Sequence, residues 1–487
     1  MTDIVLDFLC HADFSGRLRK TRDDVGFCAF SAAVDDLRAE NLEGTLLLDA
    51  GDAFSTNFWP GLPLVGAMNR NGTDAMCLGN HEFDRGPDFL KNCIAACHFP
   101  VLCANIREKA TGRPITGTVP TVILERRGVK IGVLGLTTEY TPFMVTKPAF
   151  DPFEVTSGAE AAQTWIPRLR AAGAEVIVVL THFPFYQSPE GALSGELWDL
   201  IKASPAADVW VGGHIPGDCA RMEDGMCVVK AGFGGASIAR ARLTLDGQTH
   251  KILRRECRVV HTPPQGAARL EITQYVRGIT DPFEPYFAEP LSRAAERWPM
   301  RLAVESKLGD FLADCLRFGG GTELAYMNAT GACGCIEPGA VTRETLLSVA
   351  GYNDLLYTCT ITGAQVWELM EAVYEPERFG NNGAMLISGF HVTVDHTRTS
   401  PYKVLAVTLP DGTPLMKDHA YTVSASAYIA SGGNGTASIA SRLNWTPTAV
   451  RFYDAMFGYT RSMQALRVDD FPRFTAIGTP ENNHAPY

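Results

Sequence analysis

A chain of 487 residues is too long to organise around one hydrophobic core, so two domains joined by a linker are expected. With 54 acidic against 43 basic residues and no basic run, the chain lacks the electrostatic footprint of a binder of polymeric nucleic acid or of an anionic membrane, which leaves a small-molecule partner. Its 13 cysteines are scattered and form no CxxC pair, a pattern of reduced thiols, and the first apolar run is too short for a signal core or a membrane span, so a cytoplasmic protein is expected.

Residues 1–260 alternate short β-rich runs with helical stretches, the pattern of stacked α/β layers. The runs are IVLDFL from Ile4, TLLLDAGD from Thr45, DAMCLGNHEFD from Asp74, IGVLGL from Ile131, EVIVVLTH from Glu175 and DVWVGGH from Asp208. All but the Ile131 run have a His, Asp or Asn at or just beyond their carboxyl end, and loops at the carboxyl ends of strands are where α/β folds place ligands. Residues 261–300, opening with Thr262-Pro-Pro, read as a linker and connecting helix. Residues 301–487 read as a smaller second domain, with helices expected in ESKLGDFLADCLR and GAQVWELMEAVY and strands in AMLISGFHVTVD and YTVSASAYIA. The triple glycine Gly319–Gly321 follows a helical pattern and reads as its terminator, not as a phosphate cradle.

Each strand-end residue taken alone has an ordinary explanation as a turn former, cap or buried histidine. Taken together, Asp13, Asp52, Asn80, His81, His182 and His214 fall at the ends of successive strands, which a stacked sheet brings to one edge. This mix of oxygen and imidazole donors suits zinc, manganese or iron(II), and such an ion acidifies water while drawing charge from phosphoryl oxygens.

At these residues the chain resembles the calcineurin-like metallophosphoesterases, and within them the 5'-nucleotidase branch. GNHEFD from Gly79 to Asp84 is the most specific motif, supported by LLLDAGD ending at Asp52, VLTH ending at His182 and GGHIP around His214. ESKLGDFLAD from Glu305, PGAVT from Pro338, TGAQVWELME from Thr362, LISG from Leu386 and SGGNG from Ser431 match the branch's C-terminal domain. The resemblance implies a four-layer α/β/β/α domain followed by a smaller α+β domain. It implies that Asp52 is a bridging carboxylate, that Asn80, His182 and His214 complete one strong metal site, and that His81, oriented by Asp84, steadies the phosphoryl transition state.

The other metal site departs from the family pattern. Asp13 is present, but Ser15 stands where a His is expected and Pro216 where a His or Gln is expected, so a second ion is expected to bind weakly. His11, two residues before Asp13 on an extended strand, is a candidate compensating ligand through a shifted register. Substrate contacts implied for the second domain fall at Asn328, Cys333, Asn353 and Asn434. There too the pattern has drifted: Cys333 replaces an arginine, and Thr436 and Ala384 occupy positions of stacking aromatics. The expected activity is metal-dependent hydrolysis of a phosphomonoester or phosphodiester that is not a standard 5'-nucleotide. The alternative is a catalytically impaired relative that binds a small ligand in the cleft between its domains.

Overall fold

Val176–His182 is buried along its whole length, and Ile4–His11 is buried beyond its first two residues. Such near-continuous apolar strands belong in sheets covered on both faces. In the computed structural model, which describes residues 2–54, 59, 61–188, 191–204, 206–301, 305–373, 385–399 and 403–478, they lie in two six-stranded sheets. The chain divides into two units, Met1–Pro282 and Phe283–Tyr487.

In the first unit one sheet runs in the order Ile252–His261, Ser237–Leu245, Ile4–His11, Thr45–Asp49, Ala75–Cys77, Val101–Leu102. The last four of these strands are parallel, and the two at the other edge join antiparallel. The second sheet runs Cys219–Glu223, Met226–Lys230, Val209–Val211, Val176–His182, Val129–Thr137, Thr121–Arg126, with a parallel centre and antiparallel edges. Alternate residues of the two sheets pack on one another: Leu6, Phe8, Cys10, Leu46 and Leu48 of the first share a core with Ile131, Val133, Val178, Leu180 and Val229 of the second. The opposite face of the second sheet packs Ile177, Val179 and Trp210 under the helices Gly158–Ala171 and Glu196–Ala203. The helix Gly26–Ala39 covers the first sheet, where Phe30 meets the His11 ring at 4.7 Å. The result is an α/β/β/α stack whose parallel strands all deliver their carboxyl ends to one edge. Within residues 261–300, the helix Leu270–Thr280 docks on the helix Leu62–Asn71, with the Tyr275 hydroxyl donating to the Pro63 carbonyl at 3.1 Å.

The second unit is built on a mixed five-stranded sheet ordered Met385–Ser388, Leu324–Asn328, Ala420–Ser426, Leu355–Thr362, Thr446–Arg451. Its helix Lys307–Gly320 starts where the Ser306 hydroxyl accepts from Gly309 N and stops at Gly321 in the left-handed conformation. That helix and Phe452–Arg461 cover one face of the sheet, and Gly363–Val373 covers the other. All 13 cysteines are unbridged, and among the described residues no helix is long and apolar enough to cross a membrane.

Candidate metal centre

In the loops that follow Ile4–His11, Thr45–Asp49 and Val209–Val211, four non-glycine residues hold left-handed backbone: Asp13 (φ 56°), Ser15 (φ 49°), Asp52 (φ 57°) and His214 (φ 75°). Such conformations cost about 1–3 kcal/mol each and persist only where surrounding structure enforces them. Here the enforcement is a ladder between two loops, in which Asp13 N, Ser15 N and Gly16 N donate to the carbonyls of Gly51, Asp52 and Ala53 at 2.8, 2.9 and 3.1 Å. Gly79 is fixed for a steric reason, since a Cβ there would lie 2.1 Å from Asp52 Oδ1.

These loops bring together donor atoms of Asp52, His182 and His214 within 4.8 Å of one another. His182 is fully buried; its Nδ1 donates to the Ala50 carbonyl at 2.7 Å, which leaves Nε2 unprotonated in the neutral ring and aimed at Asp52 Oδ2, 2.9 Å away. With no ion between them, burial lowers the His182 ring but the Asp52 and Asp13 carboxylates more than offset it and carry it to about 9, so a proton on Nε2 occupies the place an ion would take. A buried imidazole whose Nδ1–H is fixed by a carbonyl and whose Nε2 faces a carboxylate is suited to exchange that proton for a divalent transition metal. Asn80 is buried beside them, with Oδ1 2.8 Å from His214 Nδ1. The residues present therefore fit one ion.

Asp13 lies at the margin of this cluster. Its Oδ2 accepts from His214 N at 3.1 Å, and its Oδ1 is 3.9 Å from His182 Nε2. Burial raises the Asp13 carboxyl to about 7 against the opposing pull of His182. Asp52 is the other way round: burial would raise it, but His182 and His81 overcome that and hold it well below the usual carboxylate range. His81 donates from Nδ1 to Asp84 Oδ2 at 2.8 Å, its backbone N–H donates to Asp52 Oδ1 at 2.8 Å, and its Nε2 is 4.0 Å from Asp52 Oδ2. Burial lowers the His81 ring, but the Asp84 and Asp52 carboxylates more than offset it and carry it to about 10, so it is a cation at neutral pH. His214 is pushed down to about 3 by burial and by His182, which keeps its ring neutral and able to coordinate.

Two residues with no role assigned from sequence help shape the centre. The carboxylate of Glu82, fully buried, accepts from the backbone N–H groups of Asp52, Ala53, Phe54 and Gly79 at 2.8, 2.7, 2.9 and 2.6 Å. It thereby locks the loop carrying Asp52 to the loop carrying Asn80. Lys230, buried at the end of its strand, donates to the carbonyls of Phe185 and Pro216. The only available signals were the position of Glu82 inside GNHEFD and a lysine closing the apolar run MCVVK.

His11 does not take the compensating position expected of it. The strand stops at His11, and the turn to Asp13 sends the imidazole under Phe30 and Phe14, where its nearest acidic neighbour is Asp49 Oδ2 at 3.8 Å. Ser15 donates its hydroxyl to the Asp52 carbonyl at 3.3 Å. In the second unit, Asn328 Nδ2 donates to Thr330 Oγ1, Cys333 donates to the Ser348 carbonyl, and Asn353 Oδ1 accepts from Tyr453 N. Asn434 has left-handed backbone (φ 53°), its N–H donates to the Tyr428 hydroxyl, and its Oδ1 is buried without a hydrogen bond among the described residues. Thr436 is buried with its hydroxyl on the Gly433 carbonyl at 2.8 Å. Ala384 lies outside the described residues.

Residues 10–218 match the family model of the calcineurin-like phosphoesterases, and residues 291–441 match that of the 5'-nucleotidase C-terminal domain. A 5'-nucleotidase of Vibrio cholerae is 24% identical across 94% of this chain and 90% of its own length. The endonuclease YhcR of Bacillus subtilis is 26% identical over 82% of this chain, which spans 34% of that larger protein. The trifunctional nucleotide phosphoesterase YfkN of the same organism is likewise 26% identical, with 30% of its length spanned. Among solved structures, the 5'-nucleotidase precursor of Thermus thermophilus superposes with a TM-score of 0.81 at 22% identity, covering 98% of this chain and all of that one. The chain belongs to the calcineurin-like phosphoesterases that carry a 5'-nucleotidase C-terminal domain.

Proposed function

We propose that this chain hydrolyses a phosphoester at a centre holding one divalent ion on Asp52, Asn80, His182 and His214. The observation that carries the reading is the convergence of Asp52, His182 and His214 within 4.8 Å, beside a histidine held protonated by its own carboxylate. An ion bound there supplies Lewis acidity toward a phosphoryl oxygen and acidifies a water. The chain's own residues do the rest. Asp84 fixes the His81 ring through Nδ1, and Nε2–H is the group we assign to donate to a phosphoryl oxygen as negative charge grows on it. Ala50 fixes the His182 tautomer, and Glu82 holds the Asp52 and Asn80 loops in register, so little reorganisation is needed when substrate arrives.

Manganese, zinc or iron(II) suits this donor set. The substrate we propose is a phosphomonoester or phosphodiester other than a standard 5'-nucleotide. Cys333 offers no guanidinium fork, and Thr436 spends its hydroxyl inside its own turn. A binding-only role is the second reading, favoured by the committed Ser15 hydroxyl beside Asp13.

Hydrolysis of p-nitrophenyl phosphate and bis(p-nitrophenyl) phosphate in added Mn2+ tests the reading, with His81→Ala as control. Turnover lost by at least about a hundredfold in His81→Ala is expected for a transition-state donor. Absent turnover on both esters, or turnover indifferent to His81, favours the binding role instead.

A further inference from the structure

A cation is already built into the fold against Pro216, one of the two positions that depart from the family pattern. Met226–Lys230 runs parallel to Val209–Val211, the strand that leads into His214 and Pro216. The Lys230 ammonium at its end donates to the Pro216 carbonyl at 3.2 Å and to the Phe185 carbonyl at 3.3 Å, and stands 4.9 Å from the Phe185 ring centroid. Phe185 follows His182 by three residues and Pro216 follows His214 by two. One lysine thus ties together the loops that carry two of the metal-ligating side chains. Its third N–H has no hydrogen-bond partner, and it makes no ion pair within 4.0 Å among the described residues, although Lys230 is only 4% exposed. A buried ammonium without a paired carboxylate is expensive, and a polar but neutral side chain could serve the two carbonyls as well. Burial lowers this lysine to about 8, with Asp13 among the groups pulling it back up, and its charge is felt at His214.

We propose that Lys230 is the fixed positive charge of the Asp13 half-centre, standing in place of a second ion, so that the chain takes a single divalent ion. The two positions that depart from the family pattern fit this arrangement. The Ser15 hydroxyl, a weak neutral ligand, is turned to the Asp52 carbonyl, and the Pro216 carbonyl faces the Lys230 ammonium, so an ion on that carbonyl would sit against a positive charge. An ion entering beside Asp13 meets the ammonium's repulsion in a buried setting where charges are poorly screened. Lys230 is a positioning residue: it acts through the loops and the field, not by touching the reacting atoms.

The inference rests on the metal donors of the proposed function but not on turnover, so the two fail separately. Mn2+ binding to the intact chain is counted by native mass spectrometry and titrated by calorimetry for wild type, Lys230→Arg, Lys230→Gln and Lys230→Met. One ion per wild-type chain in excess Mn2+ is expected, with the same count in Lys230→Arg. Removing the charge in Lys230→Gln, whose amide can still donate to both carbonyls, is expected to tighten the first ion by about tenfold or more or to admit a second. Lys230→Met should do the same; if it fails to fold, Lys230→Gln decides. Two ions on the wild type overturn the inference, as do unchanged or weaker Mn2+ binding in a folded Lys230→Gln. Altered metal binding in that variant without hydrolysis by any of the proteins leaves the inference standing and removes the hydrolytic reading.

Discussion

Replacing Glu82 with alanine is the sharpest test of how the centre is held. Four buried N–H groups, those of Asp52, Ala53, Phe54 and Gly79, lose their acceptor at once. An unsatisfied buried donor costs about 1–3 kcal/mol, so an upper bound near 12 kcal/mol follows if each is fully orphaned, at roughly 3 kcal/mol apiece. The true cost is lower, because water can enter the vacated space and because burying the carboxylate was itself unfavourable. A loss of about 3–5 kcal/mol, as for breaking a buried charged pair, is expected. At about 2–4 °C per kcal/mol for a unit of this size, the melting temperature should fall by roughly 6–20 °C. Because the clamp joins the Asp52 and Asn80 loops, Mn2+ affinity should fall as well. Glu82→Gln keeps one acceptor oxygen and turns an amide NH2 toward the remaining donors, so it should fall between the two. Differential scanning calorimetry without metal and Mn2+ titration read the two effects separately. A Glu82→Ala protein that melts within about 2 °C of wild type and binds Mn2+ unchanged would refute the clamp.

The pH dependence of turnover should follow His81. Its ring is raised above the unfolded value, so the stabilisation it gains is complete below about 6.5 and is lost as pH rises through about 10. Asp84→Asn removes the larger raising cause, and the alkaline limb of kcat/KM should move to lower pH; a limb that stays in place refutes His81 as the proton donor. Chelation should lower the melting temperature and excess Mn2+ restore it, with about 2.7 kcal/mol gained at a hundredfold excess over Kd, and Asp52→Asn should abolish most of that metal-dependent shift. Far from the centre, buried Asp7 accepts from Arg240 and Arg242 at 2.8 Å and from Asn41 at 2.9 Å. Asp7→Ala leaves the buried Arg240 guanidinium with Glu40 as its remaining carboxylate partner, at 2.6 Å, and should cost up to about 3–5 kcal/mol in chemical denaturation, while Mn2+ affinity stays near wild type.

What could be seen in the sequence and what could not divides along a physical line. Parallel strands buried on both faces announce themselves as runs such as EVIVVLTH, and topology sends their ends to one edge, so Asp52, His182 and His214 could be grouped before any coordinates. The His11 expectation failed because it extended the two-residue period of a strand past the point where the strand stops. With Asp13 at φ 56°, the same-side rule no longer holds, and Phe30 of the covering helix and Phe14 of the loop claim the imidazole.

Glu82 and Lys230 were harder for a different reason: their partners are backbone groups. Every residue but proline brings an amide, and every residue brings a carbonyl, so neither the four donors around Glu82 nor the two acceptors around Lys230 leave a trace in residue type. Pro216 is the instructive case. From sequence it is a lost ligand, because its side chain has nothing to give a metal. In the fold its carbonyl receives the ammonium of a residue that no motif pairs with it, and the position gains a function through its backbone that its side chain could not supply. A degenerate metal motif therefore has to be judged by what now contacts the altered positions, and here a buried cation contacts one of them.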